Sequence, residues 1–259
     1  MPRLIKQLLY GLLYFVIFIG IPVGIYFALL KPAPTCWDAV QNGTEEGIDC
    51  GGGCPRACIP ATLQPLEAAG GVKVVPLGRD ANGFFHESFL IEITNPNTEY
   101  AAQSFRYTIT AETISSTATL QRLDGDAYIY AGEVRTLAFP NIIVGEHEVQ
   151  SASITFSDPQ WVPASLWRRP SLRVQHTATE RTDGQLVVSG ELVSDDIIAF
   201  PFVEVIAVFK GRFGEVVGVS RTQLEEVAPA SPRAFTVFHP DVADADLGAT
   251  SITLTAVRP

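Results

Sequence analysis

Basic residues are scarce in this chain of 259 residues, which has 18 Lys and Arg against 28 Asp and Glu. Three of the basic residues (Arg3, Lys6 and Lys31) lie in the first 31 residues, which contain no acidic residue, so the remainder carries a formal charge of −13. A body with that charge repels phosphate backbones. The composition therefore predicts that no nucleic acid is a partner.

Motifs of known catalytic sites are also absent from the sequence. None of the histidines (His86, His147, His176 and His239) lies in H-E-x-x-H, and there is no G-x-S-x-G, P-loop or G-x-G-x-x-G. We expect these histidines on the surface or between domains. A Ser/His/Asp triad can still assemble from distant residues, so a hydrolase with a cryptic site stays open as an alternative. We predict that the chain is not an enzyme and that it has no catalytic, cofactor-binding or metal-binding residues and no cofactor.

Charged residues are missing from Leu8 to Leu30, an apolar run of 23 residues. At ~1.5 Å per residue this run spans about 34 Å, enough for a hydrocarbon core of ~30 Å. A cleaved signal peptide would have a shorter apolar region followed by a small-residue cleavage site, which is not found here. The sequence predicts an uncleaved transmembrane helix over residues 8–30 that contacts the lipid bilayer.

The charges that flank this run predict its orientation. Arg3 and Lys6 precede it, and an acidic stretch follows Lys31. The positive-inside rule then makes residues 1–7 a cytoplasmic tail and places the remainder outside the cell membrane. Gly20 and Gly24 have the spacing of a helix-pairing motif, but Pro22 between them favours a bend. Pairing through this helix within a membrane assembly is kept as an alternative function.

The four cysteines all lie within 23 residues, at Cys36, Cys50, Cys54 and Cys58. Residues 31–61 are interpreted as a Cys-rich juxtamembrane segment. A short, glycine-rich, extracytoplasmic stretch cannot build its own apolar core, so an even number of cysteines favours two disulfides. Spacing does not choose among the three pairings. The alternatives are a four-thiolate zinc site and free or redox-active thiols.

Two acidic loops offer oxygen ligands of the kind that calcium prefers. Neither loop has the glycine and repeated aspartate pattern of a calcium-binding loop, so both are interpreted as solvated. The residues are Asp38, Glu45, Glu46 and Asp49 in the first loop, and Asp241, Asp244 and Asp246 in the second.

The cysteine stretch resembles a short motif of bacterial surface proteins, C-x-D-G-x-x-N-x-x-E-x-G-x-D-C-G-G-x-C-x-x-C. Ala39 replaces the glycine of the motif, and the last gap has three residues rather than two. The resemblance implies surface exposure and no particular chemistry. The matching residues are Cys36, Asp38, Asn42, Glu45, Gly47, Asp49, Cys50, Gly51, Gly52, Cys54 and Cys58.

From about residue 62 onwards, short alternating segments separated by turn residues predict a mainly β fold. Several short strands at this spacing are typical of immunoglobulin-like β-sandwiches. We predict one sandwich over residues 62–160 and a second over 165–259. Asp158–Pro170 is interpreted as the link, with Trp161 and Trp167 capping the two cores. The predicted strands are Val72–Leu77, Phe84–Thr94, Ser104–Glu112, Ala127–Tyr130, Val134–Phe139, Val149–Phe156, Leu172–Thr179, Gln185–Leu192, Val203–Lys210, Val216–Ser220, Ala234–His239 and Ser251–Val257.

The second half repeats the first. Ser153–Thr155 recurs 98 residues later as Ser251–Thr253, and Leu137–Pro140 recurs 100 residues later as Val237–Pro240. Similar order and spacing indicate a duplication in which each copy has a separate core and folds independently. The residues expected to face inward are Phe105, Tyr107, Ile109, Leu137 and Ile154 in the first copy, and Val203, Val205, Val237 and Ile252 in the second.

The second copy resembles the FxLYD-type extracellular β-domain family. The resemblance rests on Ile206–Lys210, Gly214–Gly218 and Phe235–Val237, although Ile206 and Lys210 replace the aromatic and the aspartate that name the family. The turn Asn95–Asn97 is similar to that of late-embryogenesis-abundant β-sandwich domains. These resemblances imply an immunoglobulin-like fold and no catalytic residue. The whole arrangement resembles uncharacterised bacterial single-pass membrane proteins.

These observations predict a membrane-anchored, extracytoplasmic protein with two β-sandwiches. We expect a non-catalytic binding or structural role in the cell envelope, with other envelope or surface proteins as partners.

Overall fold

The computed structural model describes residues 3–27, 35–113 and 121–258. The chain divides into two compact units, Met1–Cys58 and Ile59–Pro259, which are described separately.

The first unit begins with an apolar helix. Helix α1 (Arg3–Phe15) continues through a π-helical turn (Val16–Gly20) into helix α2 (Ile21–Ile25). The helix therefore includes residues 3–7, which were predicted as a tail, while residues 28–30 and Lys31 lie outside the described part of the chain. Over 18 residues its mean hydropathy reaches 2.3, and none of that window is buried. This helix is long and apolar enough to cross a membrane.

The π-helical turn has a local cause. Pro22 has no N–H to donate to the carbonyl of Phe18, so the regular ladder of hydrogen bonds is interrupted there. The N–H of Ile21 donates instead to the carbonyl of Val16, five residues back. Such π-turns are a known cause of helix bends. Pro22 thus changes the helix geometry where the sequence predicts a bend.

The described residues of the second unit form twelve β-strands. Each predicted strand coincides with one of them, although most of the observed strands are longer. The strands are β1 (Glu67–Arg79), β2 (Phe85–Thr94), β3 (Tyr100–Thr113), β4 (Gln121–Ile129), β5 (Val134–Gly145), β6 (Val149–Pro163), β7 (Leu172–Thr182), β8 (Gln185–Ser194), β9 (Phe200–Gly211), β10 (Val216–Val227), β11 (Arg233–Pro240) and β12 (Ala245–Thr255).

These strands form four three-stranded antiparallel sheets. The first six strands give the orders β1-β2-β5 and β4-β3-β6, and the last six give β7-β8-β11 and β10-β9-β12. The two halves therefore have the same topology. The predicted fold class, mainly β with two sandwiches, is confirmed.

The sequence repeats fall on equivalent strands of the two halves. Ser153–Thr155 lies on β6 and Ser251–Thr253 lies on β12, which are the sixth strands of their halves. Leu137–Pro140 lies on β5 and Val237–Pro240 lies on β11, the fifth strands. The repeats and the topology together indicate a duplicated unit.

Each half has an apolar core between its own two sheets. Phe89, Phe105 and Ile109 are almost fully buried in the first core, and Phe200, Val205 and Phe209 are almost fully buried in the second. All residues expected to face inward contact these cores, with Tyr107, Ile154 and Ile252 only partly buried.

A third apolar cluster joins the two halves. It lies between the sheets β1-β2-β5 and β10-β9-β12, so the twelve strands stack in four layers. The central strands β2 and β9 are consequently buried on both faces, and Val205 to Phe209 contains no exposed residue. The buried members of this cluster are Val75, Leu90, Ala138, Ile206, Val208 and Val219.

The link between the halves is shorter than predicted, because β6 extends to Pro163. The extension pairs with β3, where Trp161 is opposite Ala102. Trp161 packs against the first core, as expected, but Trp167 packs against Ala101 and Tyr130 of the first half rather than against the second core. The prediction that Trp167 caps the second core is therefore wrong.

Candidate functional site

The cysteine stretch contains two disulfides, Cys36–Cys54 and Cys50–Cys58. This is one of the three pairings that the sequence left open. The bonds interlock, since Cys50 lies inside the loop that Cys36 and Cys54 close. The stretch is therefore held by covalent links in the absence of an apolar core.

Carboxylates of this stretch accept hydrogen bonds from its own backbone. Asp49 accepts from the N–H groups of Asp38 and Ala39, at 2.9 Å each. Asp38 in turn accepts from the N–H of Val40 and from the side-chain amide of Asn42. The bond from Asn42 is the main cause of a lowered pKa for Asp38. These acidic residues shape the loop that the cysteines close.

The glycines of the stretch are required by close backbone packing. Gly52 has a φ of +58°, and a Cβ atom at this position would overlap the carbonyl oxygen of Thr44. At Gly47 a Cβ atom would lie 2.9 Å from the sulfur of Cys50. Residues with side chains are thus excluded at both positions.

Possible metal ligands converge at one place in the part of the chain that the structure describes. Among the described residues, the one group of three close ligand atoms comes from Cys36, Glu45 and Cys54. Both sulfurs of that group belong to a disulfide. In the second acidic loop, Asp241 forms an ion pair of 2.6 Å with Arg181. The Glu45 group therefore offers no free thiolate to a metal, and Asp241 already has a cationic partner.

A cleft of about 460 Å³ lies between the two halves and contains two of the histidines. Asp80 and His86 come from the β1–β2 hairpin, and Asn141 comes from β5. Ser220 on β10 and His239 on β11 line the opposite side. This volume is within the range of small-ligand sites, ~300–1,000 Å³. We therefore treat this histidine cleft as the candidate functional site.

His239 and Ser220 form a buried pair at one side of the cleft. Ser220 Oγ and His239 Nδ1 share a hydrogen bond of 3.0 Å, with the donor set by the tautomer of the ring. The ring stacks on Phe209 at a centroid distance of 5.0 Å and covers Gly218. His239 Nε2 is buried and has no hydrogen-bond partner. Burial without a charged partner lowers the pKa of His239, which keeps the ring neutral at pH 7.

His86 faces the cleft from the first half. Its Nδ1 lies 2.7 Å from the side-chain oxygen of Asn141, and its Nε2 lies 3.5 Å from Asp80 Oδ2. Asp80 also accepts hydrogen bonds from the N–H groups of Asn82 and Phe84. The bond from Phe84 is the main cause of a lowered pKa for Asp80.

The cleft thus holds a Ser–His pair and a His–Asp pair on different histidines. A catalytic triad needs one histidine with the serine on one ring nitrogen and a carboxylate on the other. His239 Nε2 lacks that carboxylate, and His86 Nδ1 contacts an amide rather than a serine. The groups therefore do not form a triad. The partly exposed His86 and Asp80 are the side chains of the cleft that can hydrogen-bond to a small polar ligand.

Part of this site could have been recognised from the sequence. Phe235, Val237 and His239 alternate with exposed residues on β11, which indicates that His239 faces inward with its apolar neighbours. The prediction that histidines lie at the surface or between domains fits the cleft residue His86 and the exposed His147 and His176. Ser220 had no sequence signal of its own, because it meets His239 through a contact between two sheets.

Comparisons with known proteins assign no family. No protein-family model matches the chain, and no curated protein matches it. Among the solved structures that match is the transglutaminase of red sea bream, at 12% identity and a TM-score of 0.21. The alignment covers 76% of this chain and 32% of the transglutaminase chain.

Proposed function

We propose that this protein is anchored in the cell membrane by its N-terminal helix and displays two fused β-sandwiches outside the cytoplasm. Its role there is non-catalytic binding or structural support in the cell envelope, with other envelope proteins as partners. The observation that carries the proposal is the helix Arg3–Ile25, of which the most apolar window is wholly unburied. An apolar helix that the protein itself does not cover needs a bilayer or a partner around it.

Two further features support an extracytoplasmic location. Disulfides persist in oxidising compartments and are rare in the cytosol, and both bonds lie soon after the helix. The basic residues Arg3 and Lys6 flank the other end of the helix, which favours a cytoplasmic N-terminus.

Protease treatment of spheroplasts tests the topology. With an epitope at the carboxyl end, external protease should remove the epitope while a short N-terminal fragment stays with the membrane. Full protection of the epitope would reverse the orientation. The intact mass of the membrane-extracted protein tests the anchor, because a cleaved signal peptide would remove the residues before the cysteine stretch.

Serine-directed probes test the non-catalytic role. Ser220 is buried and its partner His239 lacks a carboxylate on Nε2, so a fluorophosphonate probe should not label it. Ser220→Ala is the matched control for background labelling. Labelling that this variant abolishes would favour the hydrolase alternative.

A further inference from the structure

The described residues contain two pairs of a histidine and a carboxylate, and the pairs differ in their spacing. His176 Nδ1 lies 2.9 Å from Glu191 Oε2, which is a direct hydrogen bond. His86 Nε2 lies 3.5 Å from Asp80 Oδ2. An imidazole N–H usually lies within about 3.2 Å of its acceptor, and closer still when both groups are charged. The His86–Asp80 pair is therefore spaced too widely for a good hydrogen bond.

Asn141 determines which nitrogen of His86 carries the proton. The side-chain oxygen of Asn141 lies 2.7 Å from His86 Nδ1, and an amide oxygen can only accept, so Nδ1 is the donor. The neutral ring then has its lone pair on Nε2, the nitrogen near Asp80. Asn141 is itself held in place, because its φ is +57° and its N–H donates to Ser88 Oγ. Two electron-pair donors, Nε2 and Oδ2, thus lie side by side with no proton between them.

This spacing matches that of two ligands on one metal ion. With Zn–N bonds of about 2.0–2.1 Å and Zn–O bonds of about 2.0–2.2 Å, ligands at a tetrahedral angle lie about 3.3–3.5 Å apart. A histidine that binds a metal usually donates its other ring N–H to an oxygen, as Nδ1 does to Asn141. The carboxylate is oriented in a similar way, because Asp80 Oδ1 accepts the N–H groups of Asn82 and Phe84 and leaves Oδ2 free.

The histidine cleft gives a cation access to this pair. The side chains of His86 and Asp80 are 21% and 28% exposed, so they are sheltered but reachable from the cleft. Arg79 also lines the cleft, but its guanidinium lies over the Phe85 ring and donates to the carbonyl of Glu146. Among the described residues, the one ion-pair partner of Asp80 is His86. The net charge of −10 further favours a cation over an anion.

We propose that the His86–Asp80 pair binds a divalent transition-metal ion such as Zn²⁺. His86 Nε2 and Asp80 Oδ2 are the protein ligands, water fills the remaining positions, and Asn141 is a positioning residue. An imidazole ligand favours zinc over Ca²⁺ and Mg²⁺, which prefer oxygen ligands alone. The site departs from the expectation that the chain has no metal-binding residues. It gives the cleft a ligand class that the proposed function leaves open, and it does not depend on the membrane anchor.

Zinc titration of the full-length protein in detergent tests the site. All four cysteines are in disulfides, so no thiol competes for the metal in the absence of reductant. Calorimetry should detect one bound Zn²⁺ per chain in the unaltered protein. His86→Gln and Asp80→Asn should each weaken this binding by about ten-fold or more. His176→Gln, which removes the histidine of the closer pair, is the matched control and should bind zinc as the unaltered protein does.

Asn141→Gly tests the positioning residue. Glycine tolerates the φ of +57°, so the variant removes the side-chain oxygen without backbone strain, and zinc affinity should fall about ten-fold. Nitrogen NMR of the unaltered, zinc-free protein should find His86 protonated at Nδ1, with the Nε2 resonance shifting when zinc is added.

Three results would overturn the proposal. The first is the absence of stoichiometric zinc binding, or an equal affinity for Ca²⁺. The second is zinc affinity that persists in His86→Gln or Asp80→Asn, or that falls as much in His176→Gln. The third is a His86 ring protonated at Nε2 in the zinc-free protein, which would show a plain hydrogen bond to Asp80.

Discussion

The hydroxyl group of Tyr130 in the first half donates a hydrogen bond of 3.0 Å to the carbonyl oxygen of Ala256, 126 residues further along the chain. The same hydroxyl accepts a hydrogen bond from the N–H of Arg258. The ring of Tyr130 stacks on Trp167 of the link at 4.2 Å between centroids. One side chain thus connects the first half, the link and the carboxyl end of the second half.

Tyr130→Phe should destabilise the second unit. The change removes both hydrogen bonds and leaves the buried carbonyl of Ala256 without this donor, which typically costs about 1–3 kcal/mol. The free energy of unfolding in urea measures the loss. Tyr100→Phe is the control, because it makes the same chemical change on a partly exposed tyrosine. Equal stability of Tyr130→Phe and the unaltered protein would show that the two hydrogen bonds of Tyr130 contribute nothing to the free energy of unfolding.

Ile206→Ala should lower the stability of both halves together. Ile206 is fully buried in the third cluster, which contains residues of both halves, and such truncations typically cost ~2–5 kcal/mol. We therefore expect one cooperative unfolding transition for residues 59–259, in place of the independent unfolding that the repeats predicted. Calorimetry of the variant would contradict this if only one of two separate transitions moved.

Glu87→Gln should stabilise the protein at neutral pH. Glu87 is buried, its Oε1 accepts the N–H of Val149 at 2.9 Å, and its Oε2 has no hydrogen-bond partner. Burial raises its pKa, so the folded state holds the proton more tightly than the unfolded state. Stability should then fall as pH rises from about 4.5 through the raised folded value. Glutamine keeps the acceptor for Val149 and should remove this decline, as melting temperatures across that pH range will test.

His239 should produce the opposite dependence on pH. Its folded pKa is lowered by burial, so stability is present above the unfolded value of about 6.5 and decreases as pH falls below it. His239→Gln should lose this acid sensitivity. His176→Gln, a change at an exposed histidine, should retain it. Identical acid profiles for all three proteins would assign the sensitivity to other groups.

Gly52→Ala should prevent the native disulfide pairing. The added Cβ would overlap the carbonyl oxygen of Thr44, so the loop cannot bring both cysteine pairs together. Gly70→Ala is the matched control, because its φ of +73° resembles the +58° of Gly52 but the added Cβ would meet no atom within 4 Å. Peptide mapping without reduction should detect scrambled or free cysteines in the first variant and native pairs in the second.

The local features of the fold were predictable from the sequence. All twelve strands follow from alternation and turn residues, and the clustering of cysteines indicated two disulfides. The contact between the halves was not predicted, although Val205–Phe209 contains the continuous apolar run expected of a strand buried on both faces. The predicted link began too early, at Asp158, because the prolines at 159 and 163 were interpreted as the end of the strand. Both lie in β6, which is an edge strand, and edge strands tolerate proline.

The candidate site was less predictable than the fold. Ser220 and His239 meet across two sheets, and His86 and Asp80 approach the same cleft from the other half. Such proximity depends on the angle at which four layers stack, and no local pattern contains that information. The disulfide pairing was open for the same reason, because three arrangements fit one spacing.

The shared face between the inner sheets also defines how the two copies of the duplicated unit are joined. Leu90 and Ile206 lie on the surfaces of the two sheets that face each other, so the apolar outer face of each half is buried against the other half. The joint thus uses one face of each half, unlike solenoid repeats, in which each inner unit contacts a neighbour on both sides.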